Sequence, residues 1–131
     1  MKQKITFTLL LILLLVPIAC NKNSVEPEND LPFLGTWVNE SYQDSITVMQ
    51  KSVEFDSGKY GFVFNSDGTF LERKNAGWCG TPPISYCNYS GKWEYETSNT
   101  IKIDVGYWGG QTSYIMQLVS VNKTELKFIQ K

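Results

Sequence analysis

The stretch NAGWCGTPPISYCNYSGKW, residues 75–93, places two cysteines eight positions apart among glycine, proline and aromatic residues. Such thiols could ligate a metal, act as a catalytic nucleophile beside a helper group, or brace a loop. The chain contains no histidine, which removes the commonest general base and the commonest transition-metal ligand. Without further ligands, Cys79 and Cys87 do not form an ordinary zinc site, and their spacing is not that of a Cys-x-x-Cys redox motif. We therefore predict no metal, no cofactor and no thiol catalysis.

Paired carboxylates are the remaining common route to catalysis, since a glycosidase needs only two of them. Glu94 and Glu96 alternate with Trp93 and Tyr95. If the aromatic pair points into a core, both carboxylates face solvent. No other arrangement of side chains indicates catalysis, and we predict that the protein is not an enzyme.

Aromatic residues near predicted loops are the other feature with chemical meaning. An aromatic ring joins a flat apolar face to a polar group, which suits contact with a ligand or a partner protein. The alternative is that these rings simply cover one end of the fold. The candidate contacts are Trp78, Tyr86 and Tyr89 around the cysteines, and Tyr107 and Trp108 in GYWGG.

The elements that must position these residues are strands, because apolar residues alternate with polar ones almost throughout residues 33–131. Short turns such as NSDG at 65–68 separate them, which favours antiparallel neighbours. We predict an all-β fold, an antiparallel up-and-down meander of about eight strands that closes into a barrel. Residues 46–55 could also form a helix that starts at Asp44, although their β-branched residues favour a strand. The predicted strands are 35–41, 46–55, 60–65, 69–74, 86–96, 100–105, 112–121 and 124–130.

The first residues of the chain are typical of a signal peptide, with basic MKQK followed by the apolar run ITFTLLLILLLVPIA. Residues 18–20, Ile-Ala-Cys, resemble the lipobox of bacterial lipoproteins. The resemblance implies cleavage after residues 1–19 and lipidation of Cys20. Residues 20–32 are polar and contain prolines, as expected of a disordered linker, so the folded domain is predicted at 33–131.

The lipobox resemblance also implies a location, because two or more acyl chains anchor a protein stably in a membrane. Asn21 follows the cysteine in place of the Asp that retains many such lipoproteins in the inner membrane. This favours the outer membrane of a Gram-negative bacterium. Removal of 1–19 takes away Lys2 and Lys4 and leaves 10 basic side chains against 13 acidic ones. Because no basic cluster is present, we expect no nucleic-acid partner.

A second resemblance covers most of the predicted domain. The segment FLGTW resembles the Gly-x-Trp signature of the first lipocalin strand, and the later segments, in their order, resemble small lipocalin-like domains of bacterial envelope lipoproteins. This likeness implies that Gly35 and Trp37 belong to the barrel signature, and we also expect Trp93 in the core. The segments are FLGTW at 33–37, FNSDGTF at 64–70, YSGKW at 89–93, YIMQL at 114–118 and ELKF at 125–128.

The lipocalin resemblance implies the barrel fold and makes a ligand possible. Together with the lipobox and the aromatic residues near loops, it favours a lipid-anchored protein that binds a small apolar or amphiphilic molecule or a glycan. The alternative is a structural or inhibitor-like module of an envelope complex, with the loop between the cysteines as its contact surface. With Cys20 lipidated in an oxidising compartment, Cys79 and Cys87 are predicted to form a disulfide. Closure of this loop would stabilise the fold by about 2.6 kcal/mol.

Ser45 is a candidate modification site. Asp44-Ser45-Ile46 matches the Asp-Ser/Thr-aliphatic tripeptide that some bacterial envelope systems O-glycosylate. We therefore predict that O-glycosylation, if the host carries it out, occurs at Ser45.

Overall fold

The computed structural model describes residues 31–131. The predicted signal peptide (1–19), Cys20 and the linker up to residue 30 lie outside the described residues. The described part of the chain contains strands, turns and loops and no helix. Its eight strands are β1 (Gly35–Gln43), β2 (Ile46–Ser52), β3 (Gly61–Phe64), β4 (Thr69–Asn75), β5 (Tyr86–Thr97), β6 (Thr100–Tyr107), β7 (Gly110–Val121) and β8 (Glu125–Gln130).

The strands form one closed antiparallel barrel in the order β1-β2-β8-β7-β6-β5-β4-β3. The prediction of an all-β, up-and-down barrel of eight strands is confirmed. Residues 46–52 form a strand and not a helix. Strands β3 to β8 follow one another in space as they do in sequence, because each connection between them is a short turn or loop.

The first three strands do not follow the order of the sequence, because β1 lies between β2 and β3 and pairs with both. Strands β2 and β3 are therefore not neighbours, and β2 pairs with β8 to close the barrel. Residues 53–60 connect β2 to β3 past β1. This connection crosses the outer wall, since Arg73, which alternates with the inward-facing Glu72, donates a hydrogen bond to the carbonyl of Ser57.

Gly61 allows this connection to lie close to the wall. A Cβ at position 61 would be 2.8 Å from the carbonyl oxygen of Trp37 and 3.1 Å from the ring of Phe55. Any larger residue would push the connection outward.

One end of the barrel, which we call the capped end, is closed by aromatic packing. It holds residues 31–34 and the turns at 65–68, 98–99 and 122–124. Phe33 stands edge-on to Phe64 and Trp93, each at 5.1 Å between ring centroids. The indole of Trp37 donates a 2.7 Å hydrogen bond to the carbonyl of Phe33, which joins the first described residues to the wall.

The interior of the barrel next to the capped end is filled by side chains. Leu31, which belongs to the predicted linker, also packs against this core. The fully buried residues are Phe33, Trp37, Met49, Phe62, Phe64, Phe70, Ile101, Ile103, Val105, Met116, Leu126 and Phe128.

Candidate functional site

The opposite end of the barrel, which we call the loop end, has a charged group inside it. Glu72 is only 4% exposed. Its Oε1 accepts hydrogen bonds from the hydroxyls of Tyr60, at 2.7 Å, and Tyr114, at 3.3 Å. Its Oε2 lies 2.6 Å from Nζ of Lys74. A buried carboxylate is tolerated when it is paired with a cation and hydrogen-bonded. Glu72 meets this condition, because Oε1 accepts two hydrogen bonds and Oε2 is paired with Lys74.

Strand alternation explains why this cluster forms inside the barrel. On β4, Phe70, Glu72 and Lys74 point to the same face, and Phe70 is buried in the core. Tyr89 lies directly opposite Glu72 on β5, and Nζ of Lys74 lies 5.6 Å from the centroid of its ring. The same strand thus contributes an apolar residue to the filled half and charged residues to the loop end.

The electrostatics of the cluster keep its tyrosines neutral. Burial, reinforced by the nearby Glu72 carboxylate, raises the pKa of Tyr60 well above its usual value. The same two causes raise the pKa of Tyr114. Both hydroxyls therefore remain hydrogen-bond donors to Glu72 over the physiological pH range.

All five aromatic residues predicted as contacts belong to the loop end. Tyr86 and Tyr89 lie on the first residues of β5, Tyr107 ends β6, Trp108 is in the turn to β7, and Trp78 is in the loop between β4 and β5. The structure brings Tyr107 and Trp108 together, with ring centroids 5.6 Å apart. Trp78 and Trp108 are 80% and 54% exposed, so these two rings project into solvent from the rim.

An open groove of about 340 Å³ lies at the loop end. Its five lining residues come from β1, the connection across the outer wall and the start of β5, and they are Asn39, Glu40, Lys59, Tyr60 and Tyr86. Tyr60 belongs both to the wall of the groove and to the buried cluster, because its hydroxyl reaches Glu72. Tyr60 thus links the groove to the cluster, and the two together make up the candidate site.

The predicted disulfide is not formed in this structure, in which Cys79 and Cys87 are free and exposed thiols. The Cys79 thiol interacts instead with the backbone N–H and the hydroxyl of Thr81, which lower its pKa. The carbonyl of Cys79 accepts a 2.8 Å hydrogen bond from Asn75.

The signature residues lie at the capped end, away from the candidate site. Trp37 is fully buried, as predicted, while Trp93 is partly buried and packs against the core. The indole of Trp93 donates a 2.8 Å hydrogen bond to the carbonyl of Asn65. Gly35 adopts φ +106°, a conformation that residues with a side chain rarely adopt. Their roles are structural.

Ser45 is exposed in the two-residue turn between β1 and β2. The preceding Asp44 has φ +56°, as is common for Asp in tight turns. The position is accessible, and its glycosylation stays a prediction.

Sequence reasoning missed Tyr60, Glu72, Lys74 and Tyr114 as members of one site. The sequence of β4 could have indicated the buried charges, since Glu72 and Lys74 share a face with the apolar Phe70. However, Phe70 and Leu71 are both apolar, so the inward face could not be chosen from β4 alone. The two tyrosines join the cluster through strand pairing at long sequence separation.

The fold and the site define a small antiparallel β-barrel with one filled end and a polar, aromatic-rimmed mouth at the other. Within residues 31–131, no cluster of three or more His, Cys, Asp or Glu residues could hold a metal ion. This part of the chain also has no helix long and apolar enough to span a membrane. Comparison with known protein families, curated proteins and solved structures finds no match to the chain.

Proposed function

We propose that the protein is a non-enzymatic, membrane-anchored bacterial lipoprotein that binds a small molecule at the loop end of its barrel. The anchor is the predicted lipid on Cys20, and the predicted location is the outer membrane of a Gram-negative bacterium. The observation that supports binding most strongly is the groove beside Tyr60 and Tyr86, which Tyr60 links to the buried Glu72 cluster through its hydrogen bond.

The packing of the barrel limits where such a ligand sits. The half next to the capped end is occupied by buried side chains, and the rings of Phe62, Phe64 and Phe70 lie 5.0–5.7 Å apart between centroids. A ligand at the loop end instead meets partly exposed rings and polar groups. Pockets that combine aromatic walls with a few placed polar groups are typical of small-molecule sites.

Tryptophan fluorescence provides the test, because two of the 4 tryptophans, Trp78 and Trp108, are exposed at the loop end. A ligand at this end should change the emission of the wild-type protein. The change should be reduced in Trp78→Phe and Trp108→Phe, which keep an aromatic ring. An emission change that persists in full in the double variant would place the ligand elsewhere.

The alternative function is a structural or inhibitor-like module of an envelope complex. The exposure of Trp78 and Trp108 favours it, since large aromatic residues are enriched at the centre of protein interfaces. Pull-down with the wild type and with Trp78→Ala and Trp108→Ala separates the two functions. Retention of every partner by both variants would exclude a loop-mediated interface.

A further inference from the structure

We infer that the groove formed by Asn39, Glu40, Lys59, Tyr60 and Tyr86 binds a neutral, hydroxyl-rich ligand, an oligosaccharide. This inference rests on the proposed binding function and specifies the chemical class of its ligand. Three features of the groove support it, namely its charge balance, its tyrosine walls and the irregular backbone of β1.

The charges in and below the groove are of both signs, and some already have partners within the protein. Lys59 lies 3.2 Å from the carboxylate of Asp56, and Glu40 adds a carboxylate of opposite charge to the same lining. Below them, Glu72 is paired with Lys74. A charged ligand would have to compete with these pairs or bring its own charge without a partner, at a cost in free energy. A neutral polar ligand meets neither obstacle.

The two tyrosines give the groove apolar surface between polar groups. Tyr60 lines the groove, and its hydroxyl is engaged by Glu72 at 2.7 Å. This hydrogen bond also holds the ring in position before a ligand arrives, which reduces the entropy lost on binding. The ring of a sugar has a C–H face that packs on an aromatic ring and hydroxyls around its edge, and this matches tyrosine walls with polar groups between them.

The backbone of β1 is irregular at the groove. The pairing register with β2 shifts between Val38 and Ser41, and Asn39 within this bulge has φ +54°. Bulges commonly redirect a side chain next to a functional site. The Asn39 amide nitrogen donates to the side-chain oxygen of Gln50 at 3.1 Å, and its own side-chain oxygen can accept a hydrogen bond from a ligand. A sugar hydroxyl both donates and accepts hydrogen bonds. The carboxylate of Glu40 supplies an acceptor for it, and the ammonium of Lys59 supplies a donor.

The test is titration calorimetry on the intact protein with neutral oligosaccharides, namely maltohexaose, cellohexaose, xylohexaose and mannohexaose. Anilinonaphthalene sulfonate serves as an apolar probe and phosphocholine as a charged one. We expect at least one oligosaccharide to bind, with an affinity that does not fall when salt is added, because no net charge is neutralised. Tyr86→Ala should weaken binding by roughly fivefold, as loss of an aromatic contact implies. Tyr86→Phe should retain it.

Two further variants test the positioning of Tyr60. Tyr60→Phe keeps the ring and loses its hydrogen bond to Glu72, so the affinity should fall by roughly threefold. Tyr95→Phe, which changes a tyrosine at the capped end, is the matched control and should bind as the wild type does. Equal affinities for Tyr60→Phe and Tyr95→Phe would show that the hydrogen bond of Tyr60 to Glu72 does not position its ring for binding.

The outcomes separate this inference from the function on which it rests. Binding of anilinonaphthalene sulfonate or phosphocholine alone would overturn the oligosaccharide inference and leave small-molecule binding in place. Absence of binding by every probe to a folded protein would overturn both. If Tyr86→Ala bound the oligosaccharide as tightly as the wild type does, the binding site would not be this groove.

Discussion

The Tyr114 hydroxyl on β7 donates a 3.3 Å hydrogen bond across the barrel interior to the carboxylate of Glu72 on β4. The two residues are 42 positions apart in the sequence. Together with Tyr60 and Lys74, they form a polar layer between the filled half of the barrel and the groove. The properties of this layer, of the outer wall and of the two cysteines lead to four predictions beyond the binding experiments.

Removal of the Glu72 side chain should strongly destabilise the barrel. Glu72→Ala would leave Lys74 without its partner and Tyr60 and Tyr114 without their acceptor. The free energy of unfolding should fall by about 3–5 kcal/mol, as for other broken buried ion pairs. Glu72→Gln keeps an acceptor oxygen and should cost less. The measurement is urea denaturation, with the exposed Glu94→Gln as a control that should change stability by less than about 0.5 kcal/mol. Equal midpoints for Glu72→Ala and the control would contradict a role for this layer in stability.

Alkaline pH should unfold the protein through its buried tyrosines. Burial and the Glu72 carboxylate raise the pKa of Tyr60 and Tyr114, while the unfolded chain releases these protons near about pH 10. The folded state therefore holds the protons more tightly. Its stability is complete below about pH 10 and decreases as pH rises above that value.

Phenolate absorbance and circular dichroism, followed together, test this dependence. Of the 7 tyrosines, Tyr60 and Tyr114 should ionise only as the barrel unfolds. Tyr114→Phe should lessen the steepness of the alkaline loss of stability. Ionisation of all tyrosines before any loss of structure would show that the two hydroxyls are not protected.

Gly58 in the connection between β2 and β3 and Gly61 at the start of β3 should respond differently to the same substitution. Gly61→Ala places a Cβ 2.8 Å from the Trp37 carbonyl and should destabilise the protein by about 1–3 kcal/mol. Gly58→Ala meets no atom within 4 Å, and it should be neutral or stabilising by about 0.4–1 kcal/mol because it restricts the unfolded chain. Thermal denaturation of both variants checks the difference. A similar loss in both would mean that the connection does not cross the wall at Gly61.

The two thiols should differ in reactivity. Thr81 lowers the pKa of Cys79 through its backbone N–H and its hydroxyl, so in the reduced protein Cys79 should be alkylated faster than Cys87 at neutral pH. Thr81→Val removes the hydroxyl and should slow Cys79 alone. Mass spectrometry of the alkylated peptides gives both rates. The same measurement on oxidised protein tests the predicted bridge, because a disulfide would leave both residues unmodified.

Much of the fold could be predicted because it depends on local patterns. Alternation of apolar and polar residues identified all eight strands, and short turns implied antiparallel neighbours. The pairing of β1 with β3 was not predicted, because the order of neighbours depends on how residues 53–60 pack on the outer wall. Alternation reports which faces of a strand are buried, and it carries no information about which strand lies next to it.

The candidate site divides in the same way. The sequence by itself determined that histidine-based chemistry is absent and that aromatic residues cluster near loops, since residue type and local spacing decide both. Only the tertiary structure decided that Tyr60, Glu72 and Tyr114 meet inside the barrel and that Tyr60 and Tyr86 line one groove. These contacts join distant strands, and their geometry follows from register and barrel closure, which arise when the whole sheet forms.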